Sequence, residues 1–461
     1  MACKKKLIEV ALQKIVPICG NQPMMPTPPH ANTLGGLNLN NKERLTFAMI
    51  LTMLLASCAP QRASLDMLPY DTPPQIVSPP VPPALGGEAA IIEPFQQPAA
   101  PNVLREDMSY IFVERNTNAA DGSVARMFER MEHTGLPLHR TAAAPHGLIA
   151  RDDVILLKIN CQWAETGGTN TDLIRAVAEQ IAAHPEGFIG EIVIADNGQA
   201  QFGTHGTGGS LDWEVANSLN RDQSTQDVID ALSGSMRISG YLWDTITFNR
   251  VNEFSQGDFE DGFVIQENVH GTGLEISYPK FTTLYGTHIS FRYGIWNPET
   301  GEYNNEQLQV INMPVLKSHM IYGVTGAVKN YMGVVANQLT NFRPHRSVGT
   351  GGMGTLMANT RMPALNIMDM VWVGANIGPG ALYTTSVQTN IIAASTDAVA
   401  LDYWAAGEIL MPLLNNPAAA DPRATESGTF GHWLRLSAGE LERYGYRAAL
   451  GGDDIALIEG G

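Results

Sequence analysis

Cysteine is scarce in this chain: four among 461 residues, at Cys3, Cys19, Cys58 and Cys161, with no C-x-x-C pair. A zinc ribbon or an iron–sulfur cluster held by neighbouring cysteines is thereby excluded. His-Glu-x-x-His and His-x-x-x-His are missing too, so no spacing singles out a metal site. Charged residues make up only 16% of the chain, and their balance is acidic, with a formal net charge of −17. That balance speaks against a general affinity for nucleic acid, which rests on neutralising phosphates. What remains is a globular composition, 44% hydrophobic, in a length suited to one large domain or two ordinary ones. It points to no particular cofactor or protein partner.

Residues 42–58 read Lys-Glu-Arg followed by about a dozen apolar residues and then Ala56-Ser57-Cys58. A charged start, a short apolar run and small residues are the layout of a secretory signal. The run falls short of the roughly 20 residues needed to span a bilayer. Leu55-Ala56-Ser57-Cys58 matches the bacterial lipobox, and diacylation of Cys58 would supply the two acyl chains that stable anchoring requires. Between Ala59 and Pro101 lie 11 of the chain's 28 prolines, a composition that favours an extended tether. The expected organisation is an export and lipoprotein signal over 1–58, with translation starting downstream of Met1, a proline-rich tether over 59–105, and a single domain over 106–461. The expected location is extracytoplasmic, on a bacterial membrane held through lipidated Cys58. Cys161 then remains as the mature protein's one thiol and reads as a small buried hydrophobe.

From Met108 onward, strand-like apolar runs alternate with amphipathic helical stretches. Asp153–Ile159 is a nearly continuous apolar run, as in a parallel strand buried on both faces. Thr169-Asn-Thr-Asp172 supplies cap chemistry for the helix that follows, and Ile189–Ala195 is the next strand. Further helices are predicted near Leu211–Leu219 and Thr225–Leu232. The stretch 250–305, rich in aromatics and glycine, reads as an inserted β element. Leu308–Asn312 is another core strand and Thr389–Ser395 the last, leading into a helix over Ala398–Leu410. The predicted fold class is α/β: a mainly parallel central sheet with flanking helices and an inserted β element.

Within this acidic chain, the 62 residues from Gln307 to Met368 contain no Asp or Glu, while keeping Lys317, His319, Lys329, Arg343, His345, Arg346 and Arg361. Burial alone removes acids, but it removes lysine and arginine as well. The segment therefore reads as the wall of a positive cleft that attracts a small anion against the field of the whole molecule. Lys317 and His319 follow a core strand and Pro314, and are expected on a loop leaving the carboxyl end of the sheet, where ligands of open α/β sheets bind. Gly323–Asn330 reads as a turn entering a helix, with free N–H groups for an anion. Gly349-Thr-Gly-Gly-Met-Gly354 reads as a flexible loop or a second backbone cradle.

At these residues the chain resembles the family catalogued as domain of unknown function 362. The resemblance runs from about Asp152 to Leu410. It rests on Leu157-Lys-Ile-Asn160, Thr169, Asn312-Met-Pro-Val-Leu-Lys-Ser-His319 and Gly323-Val-Thr-Gly-Ala-Val-Lys-Asn-Tyr-Met-Gly333. His345-Arg346, Ala364–Asp369, Gly378-Pro379 and Ser395–Asp402 extend it. The resemblance implies an α/β domain without a settled biochemical role. Some relatives append ferredoxin-type cysteine clusters; this chain lacks them, which weakens a redox reading.

The candidate ligand-binding residues are Lys158, Asn160, Lys317, Lys329, Asn330, His345 and Arg346. His319 is the candidate general acid/base, since imidazole titrates near neutrality, and Asp369 is a second catalytic candidate that pairs with a lysine of the cleft. Asp402 reads as a helix brace, and Asp196 as either a catalytic position at a strand end or ordinary turn chemistry. Three functions fit these residues: an enzyme acting on a small anion, an anion-binding lipoprotein without chemistry, or a structural surface lipoprotein. The last predicts the lysines buried in salt bridges to Asp369 and Asp402.

Overall fold

In the computed structural model the described residues are 104–105, 107–199, 209–212, 221–269, 274–341, 343–375 and 385–460, and they fall within one compact unit. Cys58, the signal region and the greater part of the proline-rich stretch lie outside them, as do residues 213–219 of the helix expected near Leu211–Leu219.

In chain order the strands are β1 (Ser109–Arg115), β2 (Val154–Lys158), β3 (Glu191–Asp196), β4 (Ile238–Leu242), β5 (Gly262–Val269), β6 (Leu274–Thr282), β7 (His288–Ser290), β8 (Gly294–Asn297), β9 (Glu302–Asn304), β10 (Leu308–Asn312), β11 (Val315–His319), β12 (Gly323–Thr325), β13 (Leu365–Gly374), β14 (Val387–Ser395) and β15 (Ile455–Glu459). The helices are α1 (Ser123–His133), α2 (Thr171–Ala182), α3 (Thr225–Leu232), α4 (Ala327–Asn330), α5 (Arg343–Arg346), α6 (Gly352–Asn359), α7 (Ala398–Trp404) and α8 (Phe430–Arg443).

Ten strands build one mixed, mostly parallel sheet, ordered β15-β1-β14-β13-β10-β2-β3-β4, with β11 and β12 branching from β13. Strands β2, β3, β4, β10 and β13 run parallel, and β14 is antiparallel to both β13 and β1. The fold is α/β, as expected. Every residue of β2 is buried. Ile155 and Leu157 join Ile192, Ile194 and Phe112 in a core with Leu173, Val177 and Ile181 of α2 and Val228 of α3. Leu156 and Val193 point the other way and are equally enclosed, so both faces are covered.

The helix starts follow local chemistry. The Asn170 side chain accepts from the amides of Asp172 and Leu173 at the head of α2, and Ser224 with Asp227 forms a capping box on α3. Asp397 caps α7, which continues as a π-helical turn over Ala405–Leu410, completing the helix expected to Leu410. The sequence expectation was incomplete at the end of the chain: β15, not β14, is the last strand, pairing parallel with β1.

The inserted element is a five-stranded antiparallel meander, β5 to β9. Phe281 and Phe291 of this insert pack edge-on against Trp243, and Phe291 also meets Tyr331 of the acid-free segment. The Arg361 guanidinium donates to the carbonyls of Phe291 and Leu308, tying the insert to the sheet.

Candidate functional site

Parallel strand order reverses between β2 and β10. From β2 the chain moves outward through β3 to β4; from β10 it moves the opposite way to β13. Two loops that diverge at such a switch point leave a crevice beyond the carboxyl ends of their strands. Here the crevice is a small cavity of about 90 Å³, with Lys158, Asn160, Asp196, Lys317, His319 and Lys329 in its wall.

Lys158, the last residue of β2, stands beside Asp196, the last of β3. Their Nζ and Oδ1 are 2.7 Å apart and both side chains are at most 2% exposed. Lys158 Nζ also donates to the Ile159 carbonyl, and Asp196 Oδ2 accepts from the Cys161 amide. The Gly333 backbone passes directly over this pair. A Cβ there would come within 2.1 Å of Asp196 Oδ1 and 2.5 Å of Lys158 Nζ, so only glycine fits. The loop beyond is fastened by Asn197 to the Val335 carbonyl and by Gln199 to the Met332 carbonyl.

Lys317 and His319 alternate on β11 and face the same way; opposite Lys317 in the antiparallel register is Thr325 of β12. Sequence reasoning had placed both residues on a loop. They are strand residues instead, because β11 adds to β13 past a bulge and its polar side chains are covered by the tertiary fold. Lys317 is fully enclosed, and its Nζ donates to the Gly167 carbonyl at 2.6 Å. Burial, reinforced by the neighbouring Lys329 charge, pushes Lys317 down to about 7. Lys329 lies on α4 with its Nζ 5.6 Å from the Tyr322 ring centre. Burial and the charge of Lys158 lower it to about 8.

His319 departs from its expected role. Its Nδ1 accepts from the amides of Ile321 and Tyr322, each at 3.2 Å, which leaves the ring proton on Nε2. Burial and the adjacent Lys329 hold it down to about 2, and the same causes hold His345 to about 3. Both rings are therefore neutral donors or acceptors at physiological pH, and the group titrating nearest neutrality is Lys317.

Asn160 and Asn330 also line the cavity. They head a buried chain of amides: Asn160 donates to Asn330, Asn330 to Asn312, Asn312 to Asn366, and Asn366 to the Ser395 carbonyl. Asn160 Oδ1 and Thr325 Oγ1 are buried without a hydrogen-bond partner. Unpaired polar atoms of this kind are costly in a finished interior.

The remaining expectations divide. Lys158, Asn160, Lys317, His319, Lys329, Asn330 and His345 are brought together. Arg346 is exposed and stands outside the wall, and Asp369 is enclosed behind it, accepting from the amides of Asn170 and Val371. The N–H groups expected to be free at the head of α4 are not: the Asp402 carboxylate takes those of Ala327 and Val328. Asp402 is the helix brace the sequence suggested. Gly349–Gly354 is a helical turn leading into α6, whose Gly354 backs against the Ser437 carbonyl of α8, and it forms no cradle at the cavity. Gln162, Trp163, Asn197 and Gln199 belong to the wall but escaped the sequence reading. Their only signal was position just past β2 and β3. Among the described residues no three His, Cys, Asp or Glu side chains converge as a metal site.

Residues 304–407 match the family described as "Domain of unknown function (DUF362)", in agreement with the resemblance. The chain is 30% identical over 128 residues to a thylakoid-associated protein of Synechocystis sp. (strain ATCC 27184 / PCC 6803 / Kazusa), covering 25% of this chain and 39% of that protein. It thus spans well under half the length of this relative. No solved structure matches the chain.

Proposed function

With a DUF362 segment over 304–407 as premise, we propose that the cavity at the β2/β10 switch point binds a small anion. One observation carries this reading. Lys317 and Lys329 share a cavity whose wall, among the described residues, holds a single carboxylate, and that carboxylate, Asp196, is already paired with Lys158. Buried cations without counter-charges are costly, and an entering anion relieves that cost. The Asp402 carboxylate, which a purely structural role would set against a lysine, instead holds the first amides of α4. Calorimetric titration of the purified protein with phosphate and with acetate at low ionic strength is the test. Saturable binding is expected, and Lys329→Gln should weaken it by about ten- to a hundredfold, the worth of a charge-assisted hydrogen bond. An absence of binding by either anion would sink the reading.

Catalysis is a second reading, favoured by Lys317. An enclosed amine held to about 7 is available as a base at neutral pH, next to the place where the ligand would lie.

We further propose that the chain is an exported lipoprotein. Leu55-Ala56-Ser57-Cys58 and the prolines that follow support this. Expressed in a bacterium, the full chain should fractionate with membranes and take up labelled fatty acid. Cys58→Ser should lose the label; a variant that keeps it would refute the anchor.

A further inference from the structure

If the cavity binds an anion as proposed above, the charges around it narrow which anion fits. The charged and titratable groups that face the site come from six elements. Lys158 of β2 and Asp196 of β3 cancel across 2.7 Å. Lys317 of β11 and Lys329 of α4 are two cations; Asp369 of β13 acts on Lys317 from behind, with its oxygens engaged by backbone amides. His319, also of β11, and His345 of α5 are uncharged rings at physiological pH. With both lysines protonated, the wall carries two positive charges beyond what its own carboxylate offsets.

The neutral groups add direction. His319 presents Nε2–H because its Nδ1 is occupied by two amides. Thr325 Oγ1 is a hydroxyl without a partner inside a buried surface, free to donate. Two ammonium groups, an imidazole N–H and a hydroxyl are four donor groups in one wall, more than the two oxygens of a carboxylate match and suited to the four oxygens of a tetrahedral oxoanion. The cavity of about 90 Å³ has room for such a group.

We infer that the cavity is built for a dianionic tetrahedral oxoanion, a phosphate group, and that the protein takes up a proton as this dianion binds. Ligand-free, burial and the neighbouring lysine charges favour the uncharged form of both Lys317 and Lys329. A dianion beside them raises both, so protons move from solvent to protein on binding.

Titration calorimetry on the full chain at pH 8, repeated in two buffers of different ionisation enthalpy, reads both parts. Inorganic phosphate is expected to bind at least about tenfold more tightly than acetate, with net proton uptake. Glycerol phosphate distinguishes the source of the group: binding as tight as inorganic phosphate supports a phosphate ester as natural ligand, and much weaker binding supports free phosphate. Thr325→Val, which keeps volume and charge, is expected to weaken phosphate several-fold and leave acetate unchanged, and its thermal unfolding checks that the variant is folded. Equal affinity for acetate and phosphate, or phosphate binding without proton uptake, would overturn this inference while leaving anion binding standing. No response to any of these anions would remove both.

Discussion

A lysine enclosed away from water is a conditional residue, and Lys317 shows what sets the condition. Burial lowers it from an ordinary value of 10.5 to about 7 in the folded protein. Between those limits the unfolded chain binds more protons than the folded one, so stability rises with pH across that window. Lys329 acts in the same sense from about 8 upward. The ligand-free protein is thus expected to gain thermal stability from pH 7 to pH 9, by an amount on the order of a few kcal/mol. Lys317→Met should raise stability at pH 7 and flatten the profile; a variant with the parental slope would show that Lys317 is not held desolvated. The same residue marks how far sequence alone reaches. The absence of acids over Gln307–Met368 made the basic wall legible, since a missing residue type is a property of the chain itself. Arg346 was misplaced because its exposure depends on which way α5 turns, and the backbone amides that Asp369 accepts from are ones composition does not reveal.

At the scale of elements, strands buried on both faces were readable and an added strand was not. Leu308–Asn312 and the β2 run announce themselves by continuous apolar residues. Val315-Leu-Lys-Ser-His319 carries three polar residues in five and becomes a strand only through its pairing with β13 and β12. The short helix α4 is also a tertiary product. Four residues cannot sustain a helix, and Asp402 of α7 holds its first amides in place. Gly326 admits that carboxylate, since a Cβ there would meet Asp402 Oδ1 at 2.2 Å. Asp402→Ala is expected to cost about 1–3 kcal/mol in denaturant unfolding, the price of two stranded amides, and to loosen Lys329. A variant with unchanged stability and unchanged anion affinity would show that α4 holds itself.

For the whole molecule, the pairing of β2 with β10 joins residues about 150 positions apart, Leu157 to Ile311 for example, with the β5–β9 meander looped out between them. Long-range pairing of this kind forms slowly. The cavity exists only once that seam has closed, because Lys158 and Asn160 come from one side of it and Lys317 and Lys329 from the other. A bound anion therefore acts as a clasp across the seam, fastened after the chain has folded and unfastened before it opens. Saturating phosphate should then slow unfolding while leaving the refolding rate near its ligand-free value; equal effects on both rates, read by stopped-flow fluorescence, would mean the seam closes before the rate-limiting step. In a setting without chaperones, such a clasp makes the lifetime of the native protein a measure of how much ligand surrounds it.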